Sequence, residues 1–145
     1  MTIRPSRAGD GAALFALWER AVDATHQFLS ADDRAAIGEQ VRPYVASAPL
    51  LLAVDANDRP LGFLGMAGTH VDALFVDPAC HGRGIGRGLM ARATENGART
   101  VDVNEQNTAA TAFYRRLGFR EAGRSPTDDT GRPYPLLHLA RDGDA

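Results

Sequence analysis

The sequence predicts a mixed α/β fold of the layered kind, formed as one domain over residues 1–145. Two observations carry this. Hydrophobic periods follow the order strand, two helices, several strands, helix, strand, helix, two strands. That is not the regular alternation of a doubly wound sheet. A chain of 145 residues, 44% apolar and 23% charged, is also long enough to bury a core and ordinary in composition.

Taken in order, Thr2 to Ser6 reads as a short strand, with Pro5 tolerated only near a sheet edge. Gly9-Asp10-Gly11 starts a helix with Asp10 as its N-cap, and Ala13, Leu14, Leu17, Trp18, Ala21 and Val22 form its apolar face. The polar and aromatic stretch Asp23 to Leu29 ends it. Ser30 then caps a second helix running to about Val41, with Asp32 and Asp33 at its positive end and Pro43 and Pro49 bracketing the exit. Leu50 to Val54 and Leu61 to Met66 form a hairpin around the turn formers Asp55 to Pro60.

A strand from His70 to Val76 stops at Asp77-Pro78, because proline has no N–H for a ladder and disfavours helix in its predecessor. A glycine-rich turn leads into a helix burying Ile85, Leu89, Met90 and Ala93 and ending near Asn96-Gly97. Thr100 to Val103 is a short strand. Asn107-Thr108 opens a helix with Ala109, Ala110, Phe113 and Leu117 on its apolar face and Gly118 closing it. Phe119 to Gly123 is a strand, Ser125 to Pro133 a polar loop, and Tyr134 to Leu139 the last strand. Asp142 to Ala145 should fray.

A net charge of −2 gives no electrostatic case for a nucleic acid or an anionic membrane as partner. The single cysteine, Cys80, can form neither an internal disulfide nor a metal cluster, and a reducing cytoplasm fits it. No metal-ligand spacing occurs. The N-terminus lacks the apolar core of a signal peptide, and no run reaches membrane-spanning length.

Gly82, Gly84, Gly86 and Gly88 stand between the strand and its helix. Glycines let several backbone N–H groups point one way, and at a helix N-terminus such donors form an anion site, to which Arg83 and Arg87 add charge. A diphosphate fits this cradle. The dinucleotide fingerprint fails, since its sixth position falls on Arg87 or Leu89, and the Gly-Lys-Ser/Thr of a nucleoside-triphosphate loop is missing.

His81-Gly82-Arg83-Gly84-Ile85-Gly86 resembles instead the acyl-CoA loop of the GNAT N-acetyltransferases, Arg/Gln-x-x-Gly-x-Gly/Ala, with His81 in the first position. Phe113-Tyr114-Arg115-Arg116-Leu117-Gly118-Phe119 is similar to that family's Phe-Tyr-x-x-x-Gly-Phe element. Asp23-Ala24-Thr25-His26, Asn104 to Asn107, and Asp129-x-Gly131-x-Pro133-Tyr134-Pro135-Leu136 resemble its YjaB-type bacterial branch. The resemblance implies the GNAT fold: a mixed, mostly antiparallel sheet of six or seven strands flanked by about four helices. It implies a cytoplasmic enzyme passing acetyl from acetyl-CoA directly to a primary amine. The acceptor would be a protein lysine, a protein N-terminus or a small amine, with the branch favouring lysine. It also implies a homodimer. A non-catalytic acyl-CoA sensor is the rival reading, and an intact Tyr114 element argues against it.

The resemblance further implies that the strand ending in Leu74-Phe75-Val76 splays from the strand at Thr100 to Val103. Acetyl-pantetheine would lie in the gap on exposed backbone groups, one N–H meeting the developing oxyanion. Gly82, Gly84, Ile85 and Gly86 would hold the diphosphate through backbone N–H groups, with His81, Arg83, Arg87 and Asn107 near it. Tyr114 would protonate the leaving thiolate: a phenol of reference pKa about 10 can give a proton to a thiolate of about 8.5. The amine's proton goes to His26, Asp72 or His70, to a base acting through water, or to none. Asp23, His26, Phe28, Asn104 and the Ser125 to Pro133 loop would meet the acceptor.

Overall fold

The computed structural model describes residues 1–142, so the chain end at 143–145, expected to fray, lies outside the described residues. Seven strands make one sheet: β1 (Thr2–Pro5), β2 (Leu50–Val54), β3 (Pro60–Ala67), β4 (His70–Val76), β5 (Thr100–Asn104), β6 (Arg120–Ser125) and β7 (Leu136–Ala140). Their order is β1-β2-β3-β4-β5-β7-β6, and every neighbour is antiparallel except β4 and β5. The helices are α1 (Gly11–Thr25), α2 (Ala31–Ser47), α3 (Ile85–Glu95) and α4 (Thr108–Arg116), with one 3₁₀ turn at Pro78–Cys80. Among the described residues no helix is long and apolar enough to cross a membrane.

Strand alternation assigns the two faces. Leu50, Leu52, Val54 and Phe63 meet Leu14, Leu17, Trp18 and Val22 of α1 and Val45 of α2. Ala53, Leu64, Val71, Val101 and Val103 meet Ile85, Leu89, Met90 and Ala93 of α3 and Tyr114 of α4 on the other face. Pro5 sits on the edge strand β1, where its missing N–H leaves no central ladder broken. Buried Arg4 reaches Asp10 at 3.0 Å and Asp58 at 2.9 Å, tying β1 to the start of α1 and to the β2–β3 turn.

Four expectations are corrected. Asp10 stands at the N-cap of α1, but its carboxylate bonds Arg4 and the Arg7 N–H rather than the helix, because the buried guanidinium needs a counter-charge. That bond to Arg4 holds the Asp10 carboxyl below the usual carboxylate range. Helix α2 does not stop near Val41; it continues through Pro43 to Ser47, and Val45 in that last part is buried in the core. On α4 the buried positions are Thr111 and Tyr114, while Phe113 and Leu117 are only partly covered and Ala109 is exposed. The final strands lie one or two residues later than expected, and Asp142, expected to fray, bonds Arg120 at 2.7 Å.

Two irregularities shape the middle of the sheet. Gly65 pairs with Ala73 and Met66 with Val71, so Asp72 is an extra residue in β4, a bulge that bends the strand. On its other edge β4 meets β5 through two pairs alone, His70 with Thr100 and Val71 with Val101. Beyond Val71 the strands part, as the splay expected from the family resemblance requires. The β4 edge from Asp72 to Val76 is left without a strand partner.

Gly62 lets α3 sit close to the sheet: a Cβ there would stand 3.0 Å from Ile85 Cγ2 and 3.0 Å from the Phe75 carbonyl oxygen. Gly62→Ala should therefore cost about 1–3 kcal/mol of stability, read as a lower urea midpoint at unchanged slope. An unchanged midpoint would show that this contact is loose.

Candidate active site

The parting of β4 from β5 opens a cleft beside the glycine loop. Gly82 and Gly84 hold φ of +80° and +76°, a left-handed backbone that residues with a Cβ rarely adopt. Gly84 is the N-cap of α3 and no side chain caps that end, so the first N–H groups of the helix lack intrahelical partners. These donors suit a diphosphate. The cleft, about 560 Å³, is lined by Leu74, Phe75 and Val76 of β4, by His81, Gly82, Gly84, Ile85, Gly86 and Arg87 of the loop and α3, and by Asn107, Phe113 and Tyr114 of α4. Asn107 also caps α4, its side chain accepting the Ala110 N–H at 3.1 Å. Arg83 is exposed and stands outside the cleft lining.

Tyr114 is 6% exposed, its ring packed edge-on against Phe113 and Phe119 at centroid distances of 5.1 and 5.7 Å. Burial raises its phenol well above the ordinary value, so the hydroxyl keeps its proton across the working range. Helical phase alone placed Phe113 in the core and Tyr114 toward the cleft; in the structure both rings line the cleft, and Tyr114 is the more buried.

A second cavity, about 400 Å³, lies on the α1–α2 face of the sheet. Its walls come from α1, α2, the bulge and the β6–β7 loop. Trp18, Tyr44 and Phe63 line it together with the carboxylates Asp72, Asp128 and Asp129, and with Asn104 and Arg132. Burial first, then the nearby Asp72 charge, pushes the Tyr44 hydroxyl up to about 12.

His26 and Phe75 line both cavities and stand where the two meet. His26 is the C-cap of α1, held by its N–H on the Val22 carbonyl at 2.7 Å. Its ring lies 5.3 Å from Phe28 and 6.4 Å from Phe75, and burial lowers its pKa below the ordinary 6.5. The site thus gathers Tyr114, His26, Asp72, Asn104 and the loop. It leaves out Asp23, which pairs with Arg34 at 2.8 Å, and Phe28, which lines neither cavity but packs on His26 and Tyr134.

His70 is also elsewhere. It joins a chain of contacts across four strands: His70 to Asp102 at 3.5 Å, Asp102 to His138 at 2.7 Å, and His138 to Ser125 at 2.6 Å. Trp18, Tyr44, Thr25 and Tyr134 are site-forming residues the sequence reading passed over. Thr25 carried a signal within the Asp23 to His26 motif, and Tyr134 within the loop motif before the last strand. Its hydroxyl accepts the Ser30 N–H at 3.2 Å and donates to Asp33, fastening the β6–β7 loop to the start of α2. Arg132, 3.4 Å from Asp33, adds to that closure.

Comparison with known proteins agrees with this geometry. A family model for the acetyltransferase (GNAT) domain matches residues 11–134. The peptidyl-lysine N-acetyltransferase YjaB of Escherichia coli (strain K12) is 48% identical over 141 residues, spanning 97% of this chain and 96% of that protein. The solution structure of apo YjaB from Escherichia coli matches with a TM-score of 0.92, over 99% of this chain and 98% of that one, at 48% identity. The structure of YncA from Salmonella typhimurium with its cofactor acetyl-CoA gives a TM-score of 0.64 at 25% identity, covering 100% and 96% of the two chains.

The closure at Tyr134 is directly testable. Tyr134→Phe should leave the fold intact, cost about 1–2 kcal/mol, and expose the Ser30 amide to faster hydrogen exchange. Unchanged exchange at Ser30 would mean that the hydroxyl does not hold the loop.

Proposed function

The chain belongs to the GNAT family of N-acetyltransferases, and on that footing we propose that it acetylates the ε-amine of lysine side chains in proteins, using acetyl-CoA. One observation carries the reading: a cleft walled by the glycine loop and an acidic cavity meet at His26 and Phe75, beside the unpaired edge of β4. Donor and acceptor can approach there from opposite faces of the sheet.

Acetyl-CoA bound in the cleft supplies the activated acetyl group. The backbone N–H groups at the start of α3 and those of Gly82 and Gly84 hold its diphosphate, with Arg87 and His81 at the rim and Asn107 alongside. The pantetheine arm takes the free N–H and C=O groups of Leu74 and Val76, which a β5 continuing beside β4 would have claimed, while those of Phe75 are directed at Phe63 of β3. One of those N–H groups faces charge developing on the carbonyl oxygen, a contribution worth about 3–4 kcal/mol in comparable sites.

On the other side, Asp72, Asp128 and Asp129 draw a cationic side chain into the cavity, and Trp18, Tyr44 and Phe63 offer its methylene stem an apolar wall. Asn104 and the β6–β7 loop flank the entry. An ammonium must lose a proton before it attacks. His26, which burial keeps neutral near pH 7, takes that proton where the cavities meet. Asp72 is the electrostatic partner of the ammonium rather than its base. Tyr114, which burial keeps protonated, gives a proton to the departing thiolate. The peptidyl-lysine acceptor named for the YjaB relative supports this choice among amines.

The test is thiol release from acetyl-CoA over lysine peptides, N-terminal amines and small amines, with wild type and Tyr114→Phe side by side. Lysine peptides should be the best acceptors. Tyr114→Phe should lower kcat tenfold or more, about 1.4 kcal/mol, with acetyl-CoA affinity unchanged. Acetyl-CoA binding without release from any amine would overturn the catalytic reading in favour of a sensor.

The pH dependence has a definite sign. Because the folded His26 pKa lies below 6.5, kcat should hold as pH falls to that value and then drop as the imidazole gains a proton. His26→Gln should lower kcat and abolish that acid limb. A limb that survives the substitution would assign the proton to another group.

A further inference from the structure

We infer that Thr25 is a positioning residue that sets the tautomer of His26, placing the ring proton on Nδ1 and leaving Nε2 as the bare nitrogen that accepts the proton of the amine. The inference deepens the proposed function and rests on its assignment of His26 as base.

It follows from counting protons at one hydroxyl. Thr25 is the last residue of α1, and its Oγ1 lies 2.8 Å from the Ala21 carbonyl oxygen and 2.7 Å from His26 Nδ1. A threonine hydroxyl has one proton and two lone pairs, and a carbonyl oxygen can only accept. Both contacts are hydrogen bonds in just one arrangement: Thr25 donates to Ala21, and Nδ1–H donates to Thr25. If Thr25 donated to Nδ1 instead, its short contact with Ala21 would be two acceptors facing each other. The ring would then carry its proton on Nε2. A neutral imidazole has one ring proton, so Nδ1–H leaves Nε2 with a free lone pair.

The surroundings give that lone pair its use. Thr25 holds the Nδ1 edge against α1, while the ring lines both cavities between Phe28 and Phe75. Nε2 makes no hydrogen bond among the described residues and is not a sealed polar atom, so it keeps access to solvent-reachable space in a residue that lines both cavities. Catalytic histidines are commonly oriented by a carboxylate or a backbone carbonyl on the other nitrogen. Here a hydroxyl already committed to a helix carbonyl does it, and the orientation passes from the buried face of α1 to the ring. During transfer the ammonium's N–H bond breaks, the proton joins Nε2, and the imidazolium keeps its Nδ1–H bond to Thr25.

Nitrogen-15 NMR of the histidine rings at pH 8 reads the tautomer without reference to activity. The intact protein should show His26 with protonated Nδ1 and bare Nε2. Thr25→Val, which keeps the β-branch and loses the hydroxyl, should move the ring toward the Nε2–H form. It should lower kcat for a lysine peptide tenfold or more with the KM for acetyl-CoA unchanged. Thr25→Ser should restore both the spectrum and the rate. Finding Nε2 protonated in the intact protein, or Thr25→Val with an unaltered tautomer and kcat, would overturn the inference. A bare Nε2 in a protein whose kcat survives His26→Ala would uphold the tautomer and overturn His26 as the base. The two readings therefore fail separately.

Discussion

Everything at this site depends on β4 and β5 being paired at two positions and no further. Main-chain N–H and C=O groups in a protein interior normally find partners, and a sheet supplies them strand by strand. Here the sheet stops supplying them halfway along β4. Two devices set where it stops. The bulge at Asp72 bends β4 just past its last pair with β5. On the face away from α3, the ladder from His70 through Asp102 and His138 to Ser125 stitches β4, β5, β7 and β6 together beside those same pairs. The gap is a wedge with a pinned root, held by a bulge whose Asp72 lines the second cavity and by a ladder of side chains that line neither cavity.

The wedge divides the chemistry by environment. On the donor side the protein offers backbone donors, a helix N-terminus and a phenol kept protonated by burial. On the acceptor side it offers carboxylates and an apolar wall. His26 and Phe75 form the partition. Burial acts on both titrating residues in the direction that keeps them neutral, since it disfavours the charged form of an acid and of a base alike. In the proposed mechanism, one physical effect thus prepares both the proton donor, Tyr114, and the proton acceptor, His26.

The order of elements was legible because each has a strong local signal: apolar periods, the Asp77-Pro78 stop, the glycine run, and Ser30 as a cap that bonds the Asp33 N–H at 3.1 Å. The glycine loop and Tyr114 were legible through motif spacing. What local reasoning missed was set by distant partners. Asp10 looks like a helix cap until buried Arg4 claims it. Pro43 looks like a helix end until the packing of Val45 carries α2 past it. Asp23 looks like an acceptor contact until Arg34 takes it. Tyr44 and Trp18 lie at ordinary core spacings, and nothing nearby in sequence says that they border a cavity. The role of Thr25 needed two distances that no pattern encodes.

The contact of Tyr134 with Ser30 and Asp33 joins segments about a hundred positions apart. The donor cleft draws nearly all its walls from one run of chain, Leu74 to Arg116, whereas the second cavity takes most of its walls from the two flanks of that run and is fastened by this tyrosine together with Arg132. Heredity can therefore treat the halves differently. Under the proposed function, substitutions in residues 29–44 and 128–136 can reshape which amine is admitted while the machinery for the thioester passes unaltered between descendants. A lineage built on this plan can diversify its targets without reinventing its chemistry.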